Sequence, residues 1–168
     1  MSPTAERKES IDFTDVYYTS DLVMVVKKGG KYENATKLSD FKGATITGQL
    51  NTFHYTVIDQ IDGVKKDTAM DNFPAMRVAL ESGKIDGYVS ERPEGISATS
   101  ANKNFAMVEF KEGQGFKTSD EDTAIAVGLK KDSDLKDKIN KILAGISEDE
   151  RKDLMDQAIK DQPASEDN

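Results

Sequence analysis

The side chains that most often carry catalysis or bind metals are scarce in this sequence. It contains one histidine, His54, and no cysteine. Thiolate nucleophiles, disulfide bonds and cysteine-ligated zinc are therefore excluded, and a zinc site built on one histidine and carboxylates would be unusual. No motif places a serine, an aspartate or a second base around His54. We expect His54 to lie on a helix surface rather than to catalyse a reaction, and we expect no metal site and no cofactor.

Two charged residues, Arg7 and Glu91, can be judged here from their local pattern alone. Arg7 follows Ser2 in the segment SPTAERKES. A guanidinium holds a carboxylate in plane through two charge-assisted hydrogen bonds. From spacing alone, however, an arginine within such a charged run is typical of a solvated surface. Glu91 precedes a predicted helix, where acids are favoured whether or not they bind a ligand.

The composition excludes several classes of function. The chain has 168 residues, of which 36% are hydrophobic and 32% charged, as expected for one folded domain or two small lobes. Its net charge of −8 and its interspersed basic residues disfavour nucleic-acid binding. No apolar run approaches the roughly 20 residues of a membrane span, and no signal peptide opens the chain. There is no calcium loop, P-loop or G-x-S-x-G motif.

The pattern of apolar residues predicts alternating strands and helices. Strands are predicted at LVMVV, ATITGQL, VKKDTAM, KIDGYVS and FAMVEF, and helices at KLSDFKG, TFHYTVIDQI, DNFPAMRVALESG and RPEGISATSANK. Thr52 is predicted to cap its helix by accepting a backbone N–H. Asp71 or Asn72 caps the next helix, and Gly83 ends it. This order predicts an α/β fold with a mostly parallel sheet covered by helices on both faces.

The last third of the chain has a different organisation. The glycine-rich, acidic segment KEGQGFKTSDED is predicted to be a loop, and TAIAVGLKK a strand. Two helices follow, and Ser147 with Glu150 forms a capping box at the start of the second. The polar tail QPASEDN is expected to fray.

Four segments stand out for their order along the chain. They are SPTAERKESIDFTDVYY, LSDFKGATITGQLNT, ALESGKIDGYVSERP and TAIAVGLKKDSDLKDKIN. Together they resemble the polar-amino-acid branch of the extracellular solute-binding proteins, which serve ABC importers. The sequence departs from that pattern at Thr14 and Val16, where serine and proline are usual, and at Asn51, where glycine is usual. Because asparagine tolerates a left-handed backbone, we expect the turn at Asn51 to form.

The resemblance implies a type II periplasmic-binding-protein-like fold with two lobes. In this family the opening segment lies near the end of the first lobe, so the chain is interpreted as an N-terminally truncated copy. Residues 1–24 would be a remnant of lobe 1 with the first hinge strand, and residues 25–124 a complete lobe 2. Residues 125–168 would supply the second hinge strand and the C-terminal helices of lobe 1.

The resemblance also implies a site for the carboxylate of an amino acid. Arg7 corresponds to the arginine that clamps this carboxylate, and Ser2 to a hydroxyl that contacts the ligand beside it. Thr52 and the amide of Phe53 correspond to a turn at a helix N-terminus that meets the same carboxylate. A buried zwitterion needs such partners, because each unpaired charge costs several kcal/mol.

The other half of the ligand is assigned in the same way. Glu91 corresponds to the acid that receives the ligand's ammonium, although aspartate is common there. Gln49 and Ser90 stand where related proteins contact the ligand side chain. These polar residues indicate a polar ligand such as glutamine, or a basic one such as arginine.

The function implied is that of a substrate-binding component of an amino acid ABC importer, without catalysis. Its partners would be a free amino acid and the importer's membrane subunits, and the full-length protein would be a periplasmic protein or a cell-surface lipoprotein. We expect the truncated chain to bind weakly. Apolar faces at Ile11, Phe13, Ile139 and Leu143 would be exposed and would favour a domain-swapped homodimer.

Two alternatives remain open from the sequence. The same fold hosts a dehydratase of prephenate-like acids, for which Glu91 would be the only general acid. It also serves as a ligand-sensing regulatory lobe in receptors and transcription factors.

Overall fold

A computed structural model describes residues 1–161 of the chain. The tail QPASEDN lies outside the described residues. The strands are β1 (Ile11–Phe13), β2 (Tyr18–Thr19), β3 (Leu22–Lys27), β4 (Thr45–Thr47), β5 (Lys65–Lys66), β6 (Gly87–Glu91), β7 (Phe105–Val108), β8 (Ala124–Ile125) and β9 (Gly128–Lys130). The α-helices are α1 (Ala5–Ser10), α2 (Phe53–Thr56), α3 (Phe73–Ser82), α4 (Arg92–Ala101), α5 (Asp120–Thr123), α6 (Leu135–Ala144) and α7 (Glu148–Asp161). Leu38–Phe41 and Val57–Gln60 form 3-10 turns.

These elements fall into two compact units. Unit 1 combines Met1–Ser20 with the described chain from Thr118 onward, and unit 2 is the continuous segment Asp21–Lys117.

Unit 2 is built on a five-stranded sheet with the order β5-β4-β6-β3-β7. β4 pairs in parallel with both β5 and β6, whereas β3 pairs antiparallel with both β6 and β7. β3 therefore runs against the other four strands, which share one direction. The expected α/β class with a mostly parallel sheet is confirmed, and the single reversed strand makes the sheet mixed.

The core of unit 2 covers both faces of this sheet. Alternate residues of β3 supply both sides: Met24 packs on one face with Phe41 and Ile58, and Val25 packs on the other with Leu80. The continuous apolar run of β3 is explained by this double burial, because a strand buried on both faces has no polar side.

The helices of unit 2 begin and end at sequence signals. Asn72 caps α3 by accepting the N–H of Ala75 at 2.9 Å, Pro74 lies in the first turn, and Gly83 ends the helix with φ +79°. α4 also has a proline, Pro93, in its first turn. The two helices follow β5 and β6 in the chain and so bring their N-termini to the ends of the sheet's parallel strands.

Unit 1 consists of short antiparallel ladders and terminal helices. β1 pairs with β9, and β2 pairs with β8. Ser147 and Glu150 form the predicted capping box of α7: Glu150 Oε2 accepts from Ser147 N at 2.8 Å, and Glu150 N donates to Ser147 Oγ at 3.3 Å. The hydrogen bonds that the Ser147 backbone N–H and hydroxyl donate to the Glu150 carboxylate hold its pKa below its usual value. In the part of the chain that the structure describes, neither α6 nor α7 has a buried residue.

Three expectations for unit 1 are wrong. The segment TAIAVGLKK is not one strand but two, β8 and β9, because each pairs with a different partner strand. The acidic loop contains the short helix α5, which starts at a capping box formed by Ser119 and Asp122. Phe13 is buried rather than exposed, and Ile11, Ile139 and Leu143 are half-buried. The exposed large apolar side chains of this unit's terminal helices are those of Leu135, Ile142 and Leu154.

Candidate functional site

The turn after β4 has the left-handed backbone that the sequence predicts. Asn51 adopts φ +60°, so asparagine replaces the usual glycine without preventing the turn. The turn is anchored to the segment before α3, because Leu50 N donates to Met70 O at 2.8 Å and Gln49 forms a parallel bridge with Met70. The side chain of Gln49 donates from Nε2 to the carbonyl of Asp71 at 3.3 Å.

Thr52 occupies the N-cap position of α2 but does not cap it as predicted. Its hydroxyl donates to the carbonyl of Gln49 at 2.8 Å, and no side-chain capping bond is present. The left-handed Asn51 explains the difference, because it folds the Gln49 carbonyl back within reach of the hydroxyl.

The N-terminus of α2 contributes less to anion binding than a long helix would. α2 has four residues and continues as the 3-10 turn Val57–Gln60, so few peptide dipoles are aligned. The local donor is the N–H of Phe53, the first residue of the helix, which has no acceptor within its own helix.

Gly48 allows this turn to fold closely over the backbone that follows it. A Cβ at Gly48 would lie 2.7 Å from the carbonyl oxygen of His54 and 2.9 Å from the Cα of Tyr55. Any larger residue would therefore displace α2 from β4.

His54 is buried, contrary to the expectation that it lies on a helix surface. Its relative exposure is 6%, and its ring centroid lies 4.6 Å from that of Phe53 and 6.4 Å from that of Phe73. Its Nε2 is 3.4 Å from Oε1 of Glu91. Neither ring nitrogen has a hydrogen bond of good geometry among the described residues. The approach of β6 and the start of α3 buries this ring, and no local pattern reveals that approach.

Glu91 ends β6 and occupies the N-cap position of α4. Its side chain is 28% exposed, so it is open to solvent while facing His54. Glu91 therefore lies next to His54, the residue that directly follows the predicted ligand-binding pair Thr52 and Phe53.

Ser90 is fully buried and bound within unit 2. Its hydroxyl donates to Oε2 of Glu94 at 2.5 Å, and Arg77 Nη2 donates to Oε1 of the same carboxylate at 2.8 Å. Contact between Ser90 and a ligand would require its hydroxyl to leave Glu94. No local sequence pattern predicts this cluster around Glu94, because its members come from α3, β6 and α4 without a shared spacing.

Charge and burial in this cluster shift two pKa values. Burial raises the pKa of the Tyr88 hydroxyl, and the neighbouring charge of Glu94 raises it further. Burial alone would lower the pKa of Arg77, but the hydrogen bond and charge of Glu94 raise it overall. The cluster therefore contains an ion pair that joins α3 to α4, between Arg77 and Glu94.

Ser2 and Arg7 lie in unit 1. Arg7 is exposed on α1, a helix absent from the sequence analysis, and its Nη1 donates to the carbonyl of Ser2 at 3.0 Å. Thr4 caps α1 by accepting the N–H of Arg7 at 3.4 Å. The hydroxyl of Ser2 donates to the carbonyl of Asp122 at 3.1 Å.

Two further features are absent from the described residues, a metal-binding cluster and a membrane-spanning helix. Within residues 1–161, His, Asp and Glu nowhere gather in a group able to hold a metal ion. No helix in this part of the chain is long and apolar enough to cross a membrane.

Comparison with known proteins gives consistent relatives. The chain is 31% identical over 151 residues to the arginine-binding extracellular protein ArtP of Bacillus subtilis, covering 85% of this chain and 54% of that protein. It is 29% identical over 165 residues to the ABC transporter glutamine-binding protein GlnH of Bacillus subtilis, covering 98% of this chain and 57% of that protein. The chain thus spans little more than half the length of these relatives.

Solved structures confirm the fold. An amino acid ABC transporter substrate-binding protein from Streptococcus pneumoniae, bound to L-arginine, matches with a TM-score of 0.76 and 27% identity, covering 95% of this chain and 65% of that one. The expected periplasmic-binding-protein-like fold is thereby confirmed. The model of the bacterial extracellular solute-binding proteins, family 3, matches residues 1–160. The chain belongs to this family of bacterial extracellular solute-binding proteins.

Proposed function

We propose that this chain is the amino-acid-binding part of a substrate-binding component of an ABC importer, and that its ligand is a polar or basic amino acid. Family membership supports this proposal, as do relatives whose names specify arginine and glutamine. On this proposal the protein binds its ligand without transforming it.

The observation that carries the proposal is the arrangement at the end of β6. A partly exposed carboxylate, Glu91, lies beside the turn that contains Asn51, Thr52 and Phe53, with His54 joining the two. A carboxylate attracts the ammonium of an amino acid, and the N–H of Phe53, which has no acceptor within its own helix, attracts its carboxylate. The two halves of a zwitterion thus find opposite partners within one unit.

We assign the ligand-binding residues accordingly. In unit 2, Thr52 and Phe53 bind the ligand's carboxylate, and Glu91 binds its ammonium. In unit 1, Arg7 is the proposed carboxylate contact, and the Ser2 hydroxyl is proposed to contact the ligand beside it. The proposed side-chain contacts are Gln49 and Ser90, whose hydroxyl must leave Glu94 to reach the ligand.

The proposal extends to domains, partners and location. Unit 2 corresponds to a complete lobe, and unit 1 to part of another. The importer's membrane subunits are the proposed protein partners, and the proposed location is extracellular, as a periplasmic protein or a lipoprotein.

Self-association of the chain is favoured by the exposed side chains of Leu135, Ile142 and Leu154, because burying apolar surface against a second copy lowers the free energy.

Binding is tested by titrating L-arginine and L-glutamine into the isotope-labelled chain and recording NMR chemical shifts, which report even millimolar affinities. We expect saturable shifts in residues 49–54 and at Glu91, and loss of these shifts in Glu91→Ala. Glu112→Ala, which removes an exposed carboxylate from the same unit, is the matched control.

Two results would contradict parts of this proposal. If no polar or basic amino acid moves these resonances, the binding function is wrong. A dissociation constant of about 1 µM or lower by calorimetry would refute the expectation that this chain alone binds weakly.

A further inference from the structure

The contact between His54 and Glu91 is unusual for a core histidine. A buried imidazole normally has hydrogen-bonded partners, because an unpaired polar group costs free energy on burial. Here both ring nitrogens lack a well-formed hydrogen bond among the described residues, and Nε2 lies 3.4 Å from a carboxylate oxygen. The ring thus lies beside a charged side chain rather than being surrounded by apolar residues alone.

The surroundings hold the ring in this position. Phe53 and Phe73 lie beside the imidazole, with centroids at 4.6 and 6.4 Å. The absence of a side chain at Gly48 lets the backbone of His54 approach the end of β4. A Cβ on Gly48 would lie only 2.7 Å from the carbonyl oxygen of His54. Because the ring packs against Phe53 and Phe73 and its backbone is close-packed, the imidazole has little freedom to rotate away from Glu91.

No other charged group competes for the imidazole in the described contacts. Asp59, on the 3-10 turn after α2, binds Lys66 at 2.9 Å. Arg77, on the helix that begins with Phe73, binds Glu94 at 2.8 Å. Glu91 is therefore the charged partner that the packing assigns to His54.

The contact engages one oxygen of Glu91 and leaves the other available. Oε1 faces Nε2 of His54, while the side chain as a whole remains 28% exposed. A carboxylate can accept several hydrogen bonds through its two oxygens. Fixing one oxygen orients the other and lowers the entropy lost when a cation binds there.

We propose that His54 is a positioning residue for the ammonium subsite: its imidazole holds Glu91 through Oε1, so that Oε2 faces the ammonium of the bound amino acid. This role rests on the proposed function and adds to it a residue that does not itself touch the ligand. It predicts that His54 affects ligands with an ammonium group and not analogues that lack one.

The test compares two ligands across matched variants. L-glutamine and its des-amino analogue, 4-carbamoylbutanoate, are titrated by NMR into the unaltered chain, His54→Leu and His54→Gln. His54→Leu removes the polar partner, whereas His54→Gln keeps an N–H that can reach Glu91. We expect the preference for L-glutamine over the analogue to fall about tenfold in His54→Leu, the scale of one polar contact with a carboxylate, and to recover partly in His54→Gln.

A spectroscopic measurement tests the pair without any ligand. Since His54 is the only histidine, the protein gives one set of imidazole ¹⁵N signals. We expect Glu91→Gln to shift these signals and Glu112→Gln to leave them unchanged.

Each outcome bears on a different statement. Unmoved imidazole signals in Glu91→Gln would refute the pair. An unchanged preference for the ammonium in a folded His54→Leu, or an equal loss for both ligands, would refute the positioning role. Failure of the unaltered chain to bind L-glutamine, L-arginine or any other polar amino acid would refute the proposed function instead. In that case the ligand-free spectra would still show whether His54 contacts Glu91.

Discussion

The guanidinium of Arg77 on α3 binds the carboxylate of Glu94 on α4, with Nη2–Oε1 at 2.8 Å and Nε–Oε1 at 3.2 Å. Ser90 donates to the other oxygen of Glu94, and Tyr88 donates to Oε1 at 3.3 Å. Two helices and the end of β6 are thus joined through one acid. Because Glu91 directly follows Ser90, this cluster also fixes the backbone from which Glu91 extends.

We predict that Glu94→Ala lowers the free energy of unfolding by about 3 kcal/mol, because it leaves the largely buried Arg77 without its partner. The side chains of Arg77 and Glu94 are 20% and 15% exposed, so water offsets only part of the loss. Urea denaturation followed by circular dichroism measures the change. Glu109→Ala breaks the more exposed pair with Arg92 and should cost less than about 1 kcal/mol. Equal effects of the two substitutions would contradict the role of the cluster.

We predict that Tyr88 makes the fold sensitive to alkaline pH. Burial and the charge of Glu94 raise the pKa of its hydroxyl in the folded protein. An unfolded tyrosine loses its proton near pH 10, so above about pH 10 only the unfolded chain gains from ionisation. The stabilisation is complete below that pH and is lost as pH rises above it, by at most about 1.4 kcal/mol per pH unit.

Urea midpoints of the unaltered chain and of Tyr88→Phe, measured between pH 8 and pH 11, isolate this contribution from that of other groups. The two curves should be parallel up to about pH 10 and converge above it, because phenylalanine has no proton to lose. Curves that stay parallel throughout would show that the Tyr88 hydroxyl does not titrate differently in the two states.

We predict that Gly48→Ala disrupts the candidate site. The new methyl group would lie 2.7 Å from the carbonyl oxygen of His54, so α2 must move away from β4. Overpacking of this kind costs about 1–3 kcal/mol, and it should also shift the imidazole signals of His54. Gly145→Ala is the control, since its Cβ would lie 3.4 Å from the carbonyl of Ile142 at an ordinary backbone angle. Unchanged His54 signals in Gly48→Ala would mean that the contact does not position the ring.

We predict that the terminal helices mediate self-association. Ile142 and Leu154 are 67% and 61% exposed, and their burial in a second copy is favourable. Light scattering after size exclusion should give a dimer for the unaltered chain and a smaller fraction of dimer for Leu154→Glu. Val78→Glu, which alters an exposed apolar residue of α3 in unit 2, should have no effect. A monomer at all concentrations would refute this prediction.

The elements with strong local signals are predictable from the sequence. β3 is a continuous apolar run, and α3 carries a capping residue, a proline in its first turn and a terminal glycine. The left-handed Asn51 is also predictable, because asparagine is one of few residues that adopt this conformation at low cost.

The parts that depend on distant contacts are not predictable in this way. The burial of His54 results from β6 and α3, and the hydroxyl of Thr52 is redirected by the turn rather than by its helix. The break between β8 and β9 follows from pairing with two separate strands in the first part of the chain. In each case a neighbour far away in sequence determines the local structure, so the local residue pattern does not predict it.

The position of β3 within the sheet has a consequence for biosynthesis. It is the first strand of unit 2 to leave the ribosome, yet its partners β6 and β7 are the last strands of that unit. Until Val108 has emerged, the apolar segment Leu22–Val26 has no complete set of neighbours in its own chain. Nascent chains released early are therefore expected to aggregate through this segment, and a holding chaperone is expected to protect it.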